Sequence, residues 1–225
     1  MVSIKTHNLL VTYGYKQIAE GYDSVIYADK KEDNIIKILS YGEEDEIFDE
    51  VALSEYFRKN FNQLKYSDLI PQYKAIGVIN ETPIIIRENI RDILFNEEEN
   101  ELFASIFLDI LEKRIVDENN LYSKWEKSEI SETIITKTEV LKLAQSLIDF
   151  INDGIIPHDI HLHNLGRDGH DNLKIRDFSR FVITLENKEL YKIYENQDYY
   201  ENDLHNNLIK SAPKTNQTMK CNLSE

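Results

Sequence analysis

The chain has 225 residues, with 41 Asp and Glu against 26 Lys and Arg, a formal charge of −15 at pH 7. That excess repels phosphate backbones and anionic lipid surfaces, so neither nucleic acid nor a membrane surface is expected as the main partner. The single cysteine, Cys221, excludes an internal disulfide framework and a cysteine-built zinc site. No apolar run approaches the ~18 residues of a membrane span.

The opening stretch, MVSIKTHNLLVTYGYK, is polar and has no apolar core of a secretory signal, so any export is expected by a route that needs none. The first ~90 residues read as strands with one helix among them. QIAEGYDSVIYAD has β-branched and aromatic runs on either side of a Gly-centred turn, and NIIKIL is a short buried strand. EDEIFDEVALSEYFRKNF then carries Ile47, Val51 and Phe57 at helical spacing, with acids at the end the dipole favours. YKAIGVIN and TPIIIREN are two further strands around a turn.

From residue 90 the pattern is helical. Apolar residues recur at i, i+3 and i+4 through IRDILFNEEENELFASIFLDILEKRIVDENN, whereas NNLYSKWEKSEISET is polar and is expected as a loop or a partly ordered insertion. The acidic runs EEDE and NEEENE read as solvated helix starts. A long helix follows: Thr136 and Glu139 fit a capping box, Val140, Leu143, Ala144, Leu147, Ile148 and Ile151 form its apolar face, and Gly154 suits its C-terminal exit. Beyond it, PHDIHLHNLGRDGHDNLKIRDFSRF reads as loop, strand, turn, strand and loop. Tyr191, Tyr194, Tyr199 and Tyr200 form a stripe best explained by packing, and residues 211–225 are expected to be a flexible tail.

The octapeptide PHDIHLHN, residues 157–164, concentrates His158, His161 and His163 beside Asp159 and Asn164. Zinc would need the three imidazoles to converge in a tetrahedron, and their i, i+3, i+5 spacing in a segment preceded by Pro scatters them. The alternative is oxygen chemistry. Asp159 and Asn164 lie five residues apart, and Asp177 follows thirteen later at the end of the apolar run LKI. One carboxylate to orient an acceptor hydroxyl, with an amide and a second carboxylate to hold Mg²⁺, is what phosphoryl transfer requires.

D-x-x-x-x-N followed by Asp-Phe-Ser resembles the catalytic and magnesium loops of the protein-kinase-like superfamily. The resemblance covers roughly residues 15–182. It implies an α+β, two-lobed fold: a small antiparallel-sheet lobe with one helix over residues 1–89, and a reduced, mainly helical lobe over 90–210. It also implies ATP and Mg²⁺ as cofactors. Lys37 stands where the family keeps its phosphate-binding lysine. IAEGYDSVIY lies over the glycine loop, with Gly21 at the middle glycine, Ala19 and Ser24 at the other two, and Ile26 at the adenine-covering position. Glu88 stands where the hinge begins. Glu50, beside the face of Leu53 and Phe57, is the expected partner of Lys37. Glu55, with Arg58 and Lys59 in the next turn, is the reserve and reads as solvent-facing. Asp159, Lys37 and Asp177 take the catalytic roles, and Asn164 and Asp177 the metal.

Two departures sharpen the assignment. Pro157-His158-Asp159 replaces His-Arg-Asp, so control through a phosphorylated activation loop is not expected. His161 resembles the D-x-H-x-x-N loop of aminoglycoside and choline kinases, yet the chain after Asp177 is short for their acceptor pocket and holds no Ala-Pro-Glu motif. The pattern resembles the minimal Ser/Thr kinases that bacterial pathogens inject into host cells. That likeness implies a monomeric enzyme, a host protein as substrate, a host protein as possible activator, and residues 90–137 as a partner-recognition or buttressing segment. A small-molecule phosphotransferase and a pseudokinase binding module are the alternatives.

Overall fold

The computed structural model describes residues 2–21, 24–39, 44–79, 82–128, 130, 134–184 and 187–188, and within these the side chains of 44–49 and 109 are excepted. The tyrosine stripe, Cys221 and the tail lie outside the described residues. The chain divides into two compact units. Of the described residues, one takes those up to Lys59 with Gln72–Asn89, and the other takes Asn60–Pro71 with those from Ile90 onward. The class is α+β, an antiparallel N-terminal sheet followed by helices.

The first unit opens with a helix absent from the sequence reading. α1 (Ile4–Thr12) starts at Ser3, whose side chain accepts from the Thr6 N–H, and it buries Thr6 and Leu10. Five strands follow in the order β1-β2-β3-β5-β4: β1 (Lys16–Glu20), β2 (Ser24–Ala28), β3 (Asn34–Leu39), β4 (Tyr73–Ile79) and β5 (Thr82–Glu88), every neighbouring pair antiparallel. Between β3 and β4 runs α2 (Glu44–Asn60).

The continuous apolar runs of β3 and β5 have a simple cause: the sheet is covered on both faces. Ile36 and Ile38 of β3, with Ile84 and Ile86 of β5, pack with Leu10 of α1 and Tyr15. Side chains alternate along a strand, so Leu39 and Ile85 point the other way, where they pack with Val51 of α2. Lys37 lies directly opposite Ile85 and Ile26 in the ladder, so the same alternation aims it at the face that carries α2.

In the second unit, β6 (Arg91–Asp92) leads to α3 (Glu97–Lys113), α4 (Glu118–Ser128) and α5 (Lys137–Asn152). The polar span expected as a loop or a partly ordered insertion is mostly α4, whose Leu121 and Trp125, one turn apart, are buried. Reciprocal capping boxes start α3 at Asn96/Glu99 and α5 at Thr136/Glu139. Gly154 leaves α5 with φ +76°, where a Cβ would press on Thr184 Oγ1 at 2.8 Å. Four short strands then make two antiparallel pairs: β7 (Ile155–Pro157) with β10 (Phe181–Ile183), and β8 (Leu165–Arg167) with β9 (Leu173–Ile175). β6 borders β8.

Candidate active site

Lys37 and Glu50 meet in the first unit. Lys37 Nζ donates to Glu50 Oε1 at 2.5 Å, and the side chains are only 4 % and 8 % exposed. Strand alternation turns the lysine toward α2, and the helical spacing of Glu50, Leu53 and Phe57 turns the glutamate toward the sheet. Glu55 does not compete for the lysine, since its carboxylate accepts from Arg58 at 2.7 and 2.8 Å and pairs with Lys59 at 3.2 Å. It is nevertheless buried, 6 % exposed, which corrects the expectation of a solvent face. Two cationic neighbours within one helical turn offset its desolvation.

Ile26 sits beside Lys37 in the ladder and shares its face. The Gly21 N–H donates to the Ser24 carbonyl at 2.8 Å, closing the β1–β2 turn around residues 22 and 23, which are outside the described set. Gly21 has no positive φ, and a Cβ there would meet only the Ser24 carbonyl oxygen at 3.8 Å, so nothing within the described fold demands glycine. Glu88 ends β5, its N–H donating to Gln72 O at 3.0 Å and its carbonyl accepting from Arg87 Nη1 at 3.1 Å.

The second unit brings Asp159, Asn164 and Asp177 onto two adjoining loops, one joining β7 to β8 and the other β9 to β10. Backbone tethers hold the first loop. The His158 N–H donates to Arg180 O at 3.3 Å, and the Arg176 N–H donates to Asn164 O at 2.8 Å, which stitches it to the residue before Asp177. Ile160 and Leu162 are buried, and the Leu162 N–H donates to Asn100 Oδ1 of α3 at 2.8 Å. Asn164 Nδ2 donates both to the Asp159 carbonyl, at 2.9 Å, and to Asp159 Oδ2, at 3.2 Å. Asp159 itself remains 43 % exposed.

Asp177 is fixed from both sides. Its Oδ1 accepts from the Ser179 N–H at 3.0 Å, and Phe178 plugs into an aromatic cluster with Phe150 of α5 at 6.3 Å and Phe181 at 4.8 Å. A side chain 2 % exposed thus anchors the loop that presents the carboxylate. Arg176 pairs with Asp92. Three contributors escaped the sequence reading: Asn100, Arg176 and His161 as a direct neighbour of Asp159. An asparagine amid the glutamates of NEEENE was the available signal for the first.

The turn between β8 and β9 is organised by Asp168, whose carboxylate accepts from the N–H groups of His170 at 2.8 Å and Asn172 at 2.9 Å. Burial pushes this carboxyl upward, but the Asn172 and His170 donors, aided by Lys174, outweigh it and hold Asp168 below the usual carboxylate range. Burial likewise works against Glu139, yet the Arg167 guanidinium and Thr136 win and keep it low. Arg167 also donates to Ile134 O at 3.0 Å, clipping β8 to the start of α5.

The histidines do not share a target. His161 Nε2 lies 3.1 Å from Asp159 Oδ1, His163 Nε2 lies 3.3 Å from Glu97 Oε1, and His158 is exposed. Among the described residues no three His, Cys, Asp or Glu side chains are grouped as a metal cage, and no helix is long and apolar enough to cross a membrane.

No protein-family model matches the chain, and no curated protein does. Among solved structures it is similar to WbdD: a crystal structure of that protein is 13% identical with a TM-score of 0.38, over 75% of this chain and 33% of WbdD. A co-crystal of WbdD with the kinase inhibitor LY294002 is 12% identical with a TM-score of 0.38, over 77% and 34%. A structure of WbdD, described as a bifunctional kinase-methyltransferase, is 15% identical with a TM-score of 0.36, over 73% and 31%. The chain spans about a third of the length of these solved structures.

Proposed function

We propose that the chain is an ATP-dependent phosphotransferase, a minimal Ser/Thr protein kinase acting on a host protein as an injected bacterial effector. The observation that carries this reading is the buried Lys37–Glu50 pair. Stripping two charges of water costs several kcal/mol per ion, and a packed apolar pair of the same volume is often as stable or more so, so stability alone is a poor reason to keep one. A lysine held rigid and charged by a helix glutamate suits the α and β phosphates of a nucleotide. Gly21 is consistent with the reading too: its N–H closes the turn onto the Ser24 carbonyl, and the missing Cβ leaves room for a phosphate to approach that turn.

In the second unit, oxygen donors suit a hard cation. The Asn164 nitrogen is committed to Asp159, which leaves the amide oxygen, with Asp177, to hold Mg²⁺. Bound Mg²⁺ would neutralise charge on the phosphates. Asp159 orients the acceptor hydroxyl and takes its proton as the bond from that oxygen to the γ-phosphorus forms and the bond from phosphorus to the ADP oxygen breaks. Catalysis is then positioning and charge neutralisation.

A second reading, phosphorylation of a small hydroxylated molecule, is favoured by one observation, the contact of His161 with Asp159. Incubation with γ-labelled ATP and host-cell lysate, beside a panel of aminoglycosides, choline and sugars, separates the two. Label in a discrete protein that disappears with Asp159→Ala supports the protein kinase. Label confined to a small molecule transfers the assignment to the second reading, and equal label with Asp159→Ala overturns both.

A further inference from the structure

His161 precedes the short turn Leu162–Asn164 in an extended conformation, φ −147° and ψ 169°. That conformation returns its ring toward Asp159, with Nε2 at 3.1 Å from Oδ1, while Asn164 Nδ2 holds Oδ2 at 3.2 Å. Each oxygen of the carboxylate therefore has its own neighbour, and the two contacts together fix the plane of the group. The other ring nitrogen, Nδ1, is buried and has no hydrogen-bond partner among the described residues.

That asymmetry assigns the hydrogen. In the neutral ring one nitrogen donates and the other accepts. A hydrogen on Nδ1 would be a stranded buried donor and would set the Nε2 lone pair against a carboxylate oxygen. A hydrogen on Nε2 instead donates to Asp159 and strands only an acceptor. Packing alone gives no reason for a histidine here, since an apolar side chain would fill the space without any unpaired polar atom. His163, two residues on, shows the contrast: its ring stands edge-on to Phe95 at 4.7 Å and to His161 at 5.5 Å, and its Nε2 reaches Glu97 instead of Asp159.

We infer that His161 is a positioning residue for phosphoryl transfer, an Nε2–H donor that locks the carboxylate of Asp159 in the orientation that receives the acceptor hydroxyl. The inference rests on the phosphotransferase reading and adds a residue to it. His161 acts through Asp159 and remains a donor throughout, so Asp159 keeps the role of base.

The test compares Mg·ATP turnover, with water as acceptor, for the full chain and for His161→Ala, His161→Gln and His161→Asn, with His170→Ala as the control in an exposed turn. Glutamine places its amide N–H where Nε2 was, and asparagine places it where Nδ1 was. His161→Ala is expected to lower kcat by about 100-fold, the cost of a misplaced reacting group, with KM for ATP unchanged within twofold. His161→Gln should recover most of the loss and His161→Asn none of it. Alanine at wild-type kcat, or equal activity of glutamine and asparagine, overturns the inference.

A second measurement is independent of activity: the ¹⁵N spectrum of the histidine rings. Hydrogen on Nε2 of His161, with a resonance that moves in Asp159→Asn, supports the contact. Hydrogen on Nδ1 ends it. Wild-type protein that turns over no ATP while keeping Nε2–H overturns the phosphotransferase reading and the catalytic meaning of the contact, yet leaves the contact standing. Wild-type turnover without the Nε2–H signature overturns the inference alone.

Discussion

The two charged constellations of this chain are built on opposite plans. Lys37 and Glu50 are dry, joined by one short contact, and placed by strand alternation meeting helical spacing. Asp159 is 43 % exposed and owes its position to tethers around it: Asn164, the Arg176 N–H, and Leu162 anchored by Asn100. A buried pair is part of the core, so removing one member is felt by the whole unit. A carboxylate on a tethered loop can be removed with little effect on folding, because the loop is held by other groups. Stability and activity should therefore separate differently in the two regions.

The largest separation is expected at Asp159→Ala. Phosphotransfer should fall by about 10³-fold or more, while stability measured by urea unfolding changes by no more than about 0.5 kcal/mol, as for other partly exposed side chains. Lys37→Met reverses the balance: it takes the lysine from a buried carboxylate and should cost about 3–5 kcal/mol. The double variant Lys37→Met/Glu50→Leu, in which both charges go, should regain most of that stability yet remain inactive. A double variant no more stable than Lys37→Met would contradict the account of a dry pair retained for function.

Smaller effects sharpen the contrast within the second unit. Asp168→Asn should destabilise by about 2 kcal/mol at pH 7, where the ionised carboxylate accepts its N–H donors. The folded-state pKa of Asp168 lies below its unfolded value, so this stability is fully present above about pH 4 and is lost as pH falls through the folded value. Urea titrations should therefore find the wild-type and Asp168→Asn midpoints converging below pH ~4, and a gap that widens there would be the wrong sign. Thr136→Ala, which removes half of the α5 capping box, should cost about 1 kcal/mol in the same assay.

How legible this was in the sequence depended on how many independent signals each element carried. α5 had a capping box, six spaced apolar residues and an exit glycine, and it forms as read, with Ile148 only half-buried. α1 and α4 had one turn of signal each. In α1 one of the two buried residues is a threonine, and in α4 the period is a single Leu121–Trp125 step inside a polar span. Spacing proposed Asp159, Asn164 and Asp177, because a fixed separation along a short loop and one short hairpin is a sequence property. The groups that orient them were hidden, since Asn100 lies 62 residues from its partner Leu162 and Arg167 lies 28 from Glu139. Glu55 misled for a related reason: neighbouring cations signal solvent in a helix pattern, although here they accompany a buried acid.

Nucleotide binding is the decisive property, and calorimetric titration of the full chain with ATP, in the presence and absence of Mg²⁺, measures it. Saturable binding that requires Mg²⁺ is expected, lost in Asp177→Ala and in the stability-restored Lys37→Met/Glu50→Leu and retained in Asp159→Ala. No binding by the wild type, or binding that Asp177→Ala leaves unchanged, would contradict the phosphotransferase reading.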